Sequence, residues 1–160
     1  MAKGPSPQNP WQHAMPPQPQ LDSIQVKFMQ AVDLHQRGQF DQAEPLYRAV
    51  IKKAPKHFDA LHLLGVLEAQ RKNSAAAVKL FDLAIKVDPD SAAAYSNRGN
   101  ALLDLKQPEK ALASFDRALR LQRNNHETLN NRGNALADLK RYAEALASYE
   151  LALQLKSDYA

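Results

Sequence analysis

Four asparagines are the residues whose spacing could do chemistry. Asn97 and Asn100 lie three residues apart, and Asn131 and Asn134 repeat the arrangement 34 residues later. A carboxamide offers a donor and an acceptor side by side, which matches the N–H and C=O of a peptide unit. Such a row would recognise an extended backbone without reading its side chains, at about 0.5–1.5 kcal/mol net per bond. The competing reading is that these amides bond to one another or to water. Covalent chemistry has weaker support. His13, His35, His57, His62 and His126 include no i, i+4 pair that would set two ligands on one helix face. There is no Gly-rich phosphate loop, no GxSxG and no cysteine. Carboxylates are spread as helix-surface charges, where i, i+4 pairing is the ordinary explanation. The chain is therefore expected to be no enzyme and to need no cofactor and no metal.

The asparagines belong to a longer stretch that the chain writes twice. Residues 97–122 read NRGNALLDLKQPEKALASFDRALRLQ, and residues 131–156 read NRGNALADLKRYAEALASYELALQLK. Ala43, Ala77, Ala111 and Ala145 carry the same 34-residue period back to the start. Four units result, 24–57, 58–91, 92–125 and 126–159, each a helix, a short turn and a second helix. The helices are expected over 22–37 and 41–54, 58–71 and 75–88, 92–105 and 108–121, and 126–139 and 142–156. Asp22-Ser23 with Gln25 is expected to cap the first helix, Asp41 with Glu44 to form a capping box on the second, and Ser74 to cap the fourth. Gly38 suits a left-handed helix end. Pro108 suits a first helical turn, and Pro55 and Pro89 close the first two units. Ala31, Gly65, Gly99 and Gly133 give small positions on the first helices. Tyr47, Phe81, Phe115 and Tyr149 fill the space beside them.

The succession of small residue, alanine, aromatic, alanine and closing proline over 34 residues resembles the tetratricopeptide repeat family, in its bacterial form. The resemblance covers residues 24–159. Its departures are Lys27 at a usually large position, and Arg123 and Ser157 at the closing proline. It implies an all-α solenoid of four antiparallel helix pairs in a right-handed superhelix, and protein-binding activity.

Stacked helix pairs leave a concave groove lined by the first helix of each unit. Rotation at about 100° per residue turns Ala93, Ser96, Asn97, Asn100 and Asp104 into it, and Glu127, Asn130, Asn131, Asn134 and Asp138 one unit later. Four mid-helix asparagines at matched places are not explained by helix propensity. They are similar to the asparagine ladder in the repeat arm of O-GlcNAc transferase-like proteins, where residues at the places of Asn97 and Asn131 would hold a polypeptide. Units one and two have Met29 and Leu63 at those places. The first half of the groove, with Phe28, Val32, His62 and Val66, is apolar, and serves either a ligand or burial under the N-terminal segment. Chaperone-binding relatives clamp a terminal carboxylate with Lys and Arg. The matched positions here are Phe28, His62, Ser96 and Asn130, so no such clamp is expected. Arg98 and Arg132 are expected to pair with second-helix carboxylates such as Asp116 or Glu150.

Residues 1–21 hold six of the ten prolines and are expected to form a disordered tail ahead of the array over 22–160. Trp11 and Pro16-Pro17 within it make either a linker or a docking motif. The net charge of +4 is scattered without a basic block, which argues against nucleic acid. No apolar run is long enough to span a membrane, and no secretory leader is readable, so the expected location is cytoplasmic. Leu146 and Leu153 are expected to lie partly uncovered on the last helix, so the chain is either part of a longer array or a homo-oligomer through uncapped ends. The function expected is a non-catalytic scaffold that binds a peptide or protein segment in the groove. The alternatives are the substrate-recruiting arm of a larger enzyme, such as an O-GlcNAc transferase-like glycosyltransferase, and a self-assembling scaffold.

Overall fold

Helix formation follows the repeat. The computed structural model describes residues 23–157. They form α1 (Ser23–Gln36), α2 (Phe40–Lys53), α3 (Phe58–Gln70), α4 (Ser74–Val87), α5 (Ala92–Asp104), α6 (Pro108–Leu121), α7 (His126–Asp138) and α8 (Tyr142–Ser157). Every end falls within one residue of the expected one. The Pro/Gln-rich tail, Trp11 and the Asp22 cap lie outside the described residues. Each helix packs on its neighbours in the chain. The odd-numbered helices also meet across units, α1 with α3, α3 with α5 and α5 with α7, and no two even-numbered helices do so among the described residues. The odd-numbered helices therefore crowd the inner side of the curve, and that side is the groove.

The turns within units share one device. Gly38, Lys72, Lys106 and Lys140 all adopt a left-handed backbone, at φ 73°, 66°, 58° and 60°. The next residue's N–H reaches back five positions to a helix carbonyl, as Gln39 does to Leu34 and Gln107 to Leu102, both at 2.9 Å. This is a Schellman closure, and only unit one uses glycine for it. Two expected caps are corrected. The residues before α2 and α4 are Gln39 and Asn73, and neither makes a side-chain cap bond. Asp41 and Glu44 instead take Arg71, the residue that follows α3, and Ser74 donates to Asp104 at 3.2 Å. Long-range partners outbid local capping there. Side-chain caps occur on α3, α5 and α7, where His57, Ser91 and Asn125 accept the N–H three residues on.

The core is the alternation of small and aromatic residues. Tyr47, Phe81 and Phe115 are fully buried, as are Ala43, Ala77 and Ala111. Each such ring contributes about 1.5–3 kcal/mol by leaving water. A Cβ added at Gly65 would lie 2.7 Å from Phe81 Cε1, and one at Gly99 would lie 2.5 Å from Phe115 Cε1. Glycine is what lets those rings lie flat against the first helix. No described buried side-chain N or O atom lacks a partner.

Arginines join successive units. Arg98 donates to Asp82 of α4 at 2.6 Å and to Ser114 of α6 at 2.8 Å. Arg132 donates to Asp116 of α6 and to Ser148 of α8, both at 2.7 Å. Asp116 is thus a partner of the next unit's arginine, and Arg98 takes Asp82 rather than Asp116. Glu150 takes neither. The partner lies in the preceding unit because the first helix of a unit rests on the second helix of the one before.

Candidate functional site

The groove divides into two chemistries. In its first half, α1, α2 and α3 frame a cavity of about 410 Å³ lined by Val32, His35, Phe40, Tyr47, Leu63, Val66 and Gln70, with Gln36 and Gly38 at its rim. His35 ties the walls together. Its Nε2–H donates to Gln70 Oε1 at 2.9 Å, so its Nδ1 accepts from the Tyr47 hydroxyl at 3.2 Å. Burial pushes the Tyr47 phenol up to about 12, so it stays a donor at all physiological pH values. Val32 and Val66 stand on its wall. Phe28 is half-buried against Tyr47 and His57, with ring centroids 6.2 and 4.7 Å away, and does not line the cavity. Val26 and Met29 are about half exposed at the edge of α1.

A smaller recess of about 240 Å³ follows between α3 and α5, lined by Val66, Ala69, Gln70, Phe81, Asn97 and Asn100. Here the apolar half gives way to amides. His62 stands beside it, stacked on Phe58 with ring centroids 5.6 Å apart and the planes inclined by 14°. Its Nε2 accepts from Asn97 Nδ2 at 3.0 Å. Burial holds its pKa below the ordinary histidine value, against the pull of Asp59. An unprotonated Nε2 is what the Asn97 bond requires.

The remaining amides are bonded to one another and to an aromatic. Asn131 Nδ2 donates to Asn100 Oδ1 at 2.9 Å, and the Tyr149 hydroxyl donates to Asn134 Oδ1 at 2.8 Å. Ser96 and Thr128 bond at 2.9 Å along the same side. The row is therefore set in place by bonds between α3, α5, α7 and α8. Asn97 Oδ1, Asn100 Nδ2 and Asn131 Oδ1 keep hydrogen-bonding capacity. Asp104 takes Ser74, Asp138 is exposed, and Asn130 is exposed on the wall of a cleft between α7 and α8.

The structure thus brings Val32, Val66, Asn97 and Asn100 onto one continuous groove, with His62 behind Asn97 and Asn131 joined through Asn100. Phe28 lines neither pocket, and Asn130 shares with Asn131 and Tyr149 the cleft of about 590 Å³ between α7 and α8. Sequence reasoning missed His35, Tyr47 and Gln70 as groove residues. The repeat pattern gives Tyr47 a packing role, and its hydroxyl is the signal that one end needs a polar partner.

Residues 28–92 match a family model described as Tetratricopeptide repeat, and residues 92–125 and 126–159 each match a second model of the same description. Solved structures of similar fold include one described as MamA MSR-1 C2, 23% identical, covering 86% of this chain and 79% of that one at a TM-score of 0.77. A MamA RS-1 ArsTM double mutant is 19% identical over 86% of this chain and 77% of that one, at 0.82. MamA 41-end from Desulfovibrio magneticus RS-1 is 19% identical over 84% and 76%, at 0.80. At these identities the likeness is one of fold. No described helix is long and apolar enough to cross a membrane.

Proposed function

The chain belongs to the tetratricopeptide repeat family, whose members are protein-interaction scaffolds, and we propose that its concave groove binds an extended peptide segment of a partner protein. The segment places an apolar side chain in the cavity of α1, α2 and α3. Its backbone then runs along α5 and α7, where Asn97, Asn100 and Asn131 offer their remaining donors and acceptors. The observation that carries this reading is the placement of an apolar cavity next to an amide row whose side chains are already fixed by interhelical bonds. Amides held in place lose little rotamer entropy on binding, so more of each new bond appears as affinity.

The test selects peptides from a random display library on the immobilised chain and compares the intact chain with an Asn97→Ala, Asn131→Ala double variant. Two backbone bonds of about 0.5–1.5 kcal/mol each predict a loss of roughly 5- to 150-fold. Undiminished binding of every selected peptide to the double variant contradicts the reading. Val66→Glu, which puts a charge on the wall shared by the cavity and the recess, is expected to abolish binding.

A further inference from the structure

The two hollows of the groove stand one helix step apart. The cavity of about 410 Å³ lies where α1 faces α3, and the recess of about 240 Å³ lies between α3 and α5, with Val66 and Gln70 in both walls. Cα atoms of α1 and α3, and of α3 and α5, come within 8 Å of each other. Helices packed this closely have axes about 8–10 Å apart, so the hollows follow one another at about that interval. No described residue lining either hollow is Asp, Glu, Lys or Arg. A charged side chain entering one would lose its hydration with no ion to pair with. Asn97 and Asn100 stand at the recess. Asn97 uses its Nδ2 on His62 and Asn100 its Oδ1 on Asn131, which leaves the Asn97 oxygen to accept and the Asn100 nitrogen to donate.

We propose that the partner segment is an uncharged polyproline II helix that places a large apolar side chain in the cavity and a proline in the recess, three residues apart. This rests on the groove reading above and adds the conformation and spacing of what is bound. The interval selects among the regular backbones. A β-strand returns a side chain to the same face every two residues, at about 6.4–6.8 Å, and the next return overshoots at about 13 Å. An α-helix repeats a face at about 5.4 Å and keeps its N–H and C=O groups for its own bonds, so Asn97 and Asn100 would gain nothing from it. Polyproline II has three residues per turn at about 3.1 Å each, a return of about 9.3 Å, and its backbone groups are open to outside partners. The unequal volumes assign the anchors. The larger hollow takes Leu, Met or an aromatic ring, and the smaller one takes a compact proline ring against Ala69 and Phe81. At least one of the two residues between the anchors keeps an N–H to donate to the Asn97 oxygen, so both cannot be proline. The chain's own proline-containing segment lacks this register. Trp11 has Gln8 and Ala14 three residues away, Met15 has Gln12 and Gln18, and Leu21 has Gln18 and Ile24. The register therefore belongs to a partner protein.

The test uses the full chain and fluorescent, end-capped peptides of one composition, with a leucine and a proline set two, three or four residues apart, in both orders, on a glutamine background. Anisotropy is expected to show the tightest binding at a spacing of three, by roughly tenfold or more over two and four. Glutamate or lysine in place of the leucine should each weaken it by a similar factor. Proline at one intervening position should tighten binding several-fold and glycine should weaken it, because the first fixes the bound φ and the second frees it. Ala69→Leu, which fills the recess and leaves the cavity walls in place, should erase the preference for three. The spacing series on the native chain decides the matter even where that variant folds poorly. Equal affinity at all spacings, a best spacing of two or four, or tighter binding by a stapled helix with two leucines seven apart overturns the proposal. If such peptides still lose affinity for the Asn97→Ala, Asn131→Ala chain, the groove reading stands and the polyproline II register alone falls. Absence of saturation by every peptide up to about 1 mM also overturns it. So does a peptide of residues 1–21 that binds as tightly as the best-spaced one, because the chain's own segment then holds the groove.

Discussion

Lys72, Lys106 and Lys140 hold a left-handed backbone that Gly38 adopts in unit one. A side chain there costs about 1–2 kcal/mol, partly offset by the greater freedom of glycine in the unfolded chain. Lys106→Gly is therefore expected to stabilise the protein by about 0.5–1 kcal/mol, read as a raised urea midpoint with an unchanged slope. Gly99→Ala should do the reverse. Its Cβ would press on the Phe115 ring at 2.5 Å, and overpacking of this kind costs about 1–3 kcal/mol. His62 sets a pH dependence. Its folded pKa lies below the ordinary value of 6.5 because burial disfavours the cation. The unfolded chain then binds a proton first as pH falls, so stability is full above about 6.5 and declines below it until the folded pKa is passed. His62→Gln should flatten that part of the melting-temperature profile, and a profile unchanged by the substitution would show that the slope has another source.

Elements are joined by side chains that a local reading pairs only in part. The helices themselves were legible, because a 34-residue period places small and aromatic residues at fixed intervals whatever surrounds them. The capping residues were not. Asp41 and Ser74 have the right types for caps, yet Asp41 pairs with Arg71, 30 residues away, and Ser74 with Asp104, also 30 away. Arg98 is legible as a structural arginine, but its carboxylate, Asp82, lies behind it in unit two, which depends on how one helix pair sits on another. At the first joint Leu64 and Leu80 stand in one apolar cluster at the places of Arg98 and Ser114, and the place of Asp82 is held by Arg48, which pairs with Glu68 at 3.1 Å. Arg98→Leu alone is expected to cost about 1–2 kcal/mol, since it removes the partner of Asp82 and leaves Ser114 only its bond to the Lys110 carbonyl. Adding Ser114→Leu copies the first joint and should recover part of the loss in thermal denaturation.

At the scale of the molecule, the curve of the array decides what is available to bind. The crowding of α1, α3, α5 and α7 brings the apolar cavity and the amide row to one side, and Asn131 carries that side on into the cleft between α7 and α8. The division of the groove into apolar and amide halves was visible in Met29, Leu63, Asn97 and Asn131. That the amides are bonded to His62, to one another and to Tyr149 was not, because those bonds depend on the rotation of each helix pair against the next. The central claim is that the groove, and not the outer helices, holds the partner segment. The most direct measurement is a titration of the ¹⁵N-labelled chain with a library-selected peptide, followed by amide chemical shifts. The account predicts shifts concentrated on α1, α3 and α5 around Val32, Val66, Asn97 and Asn100, extending to Asn131 on α7. Shifts confined to α2, α4 and α6, with those residues unmoved, would contradict it.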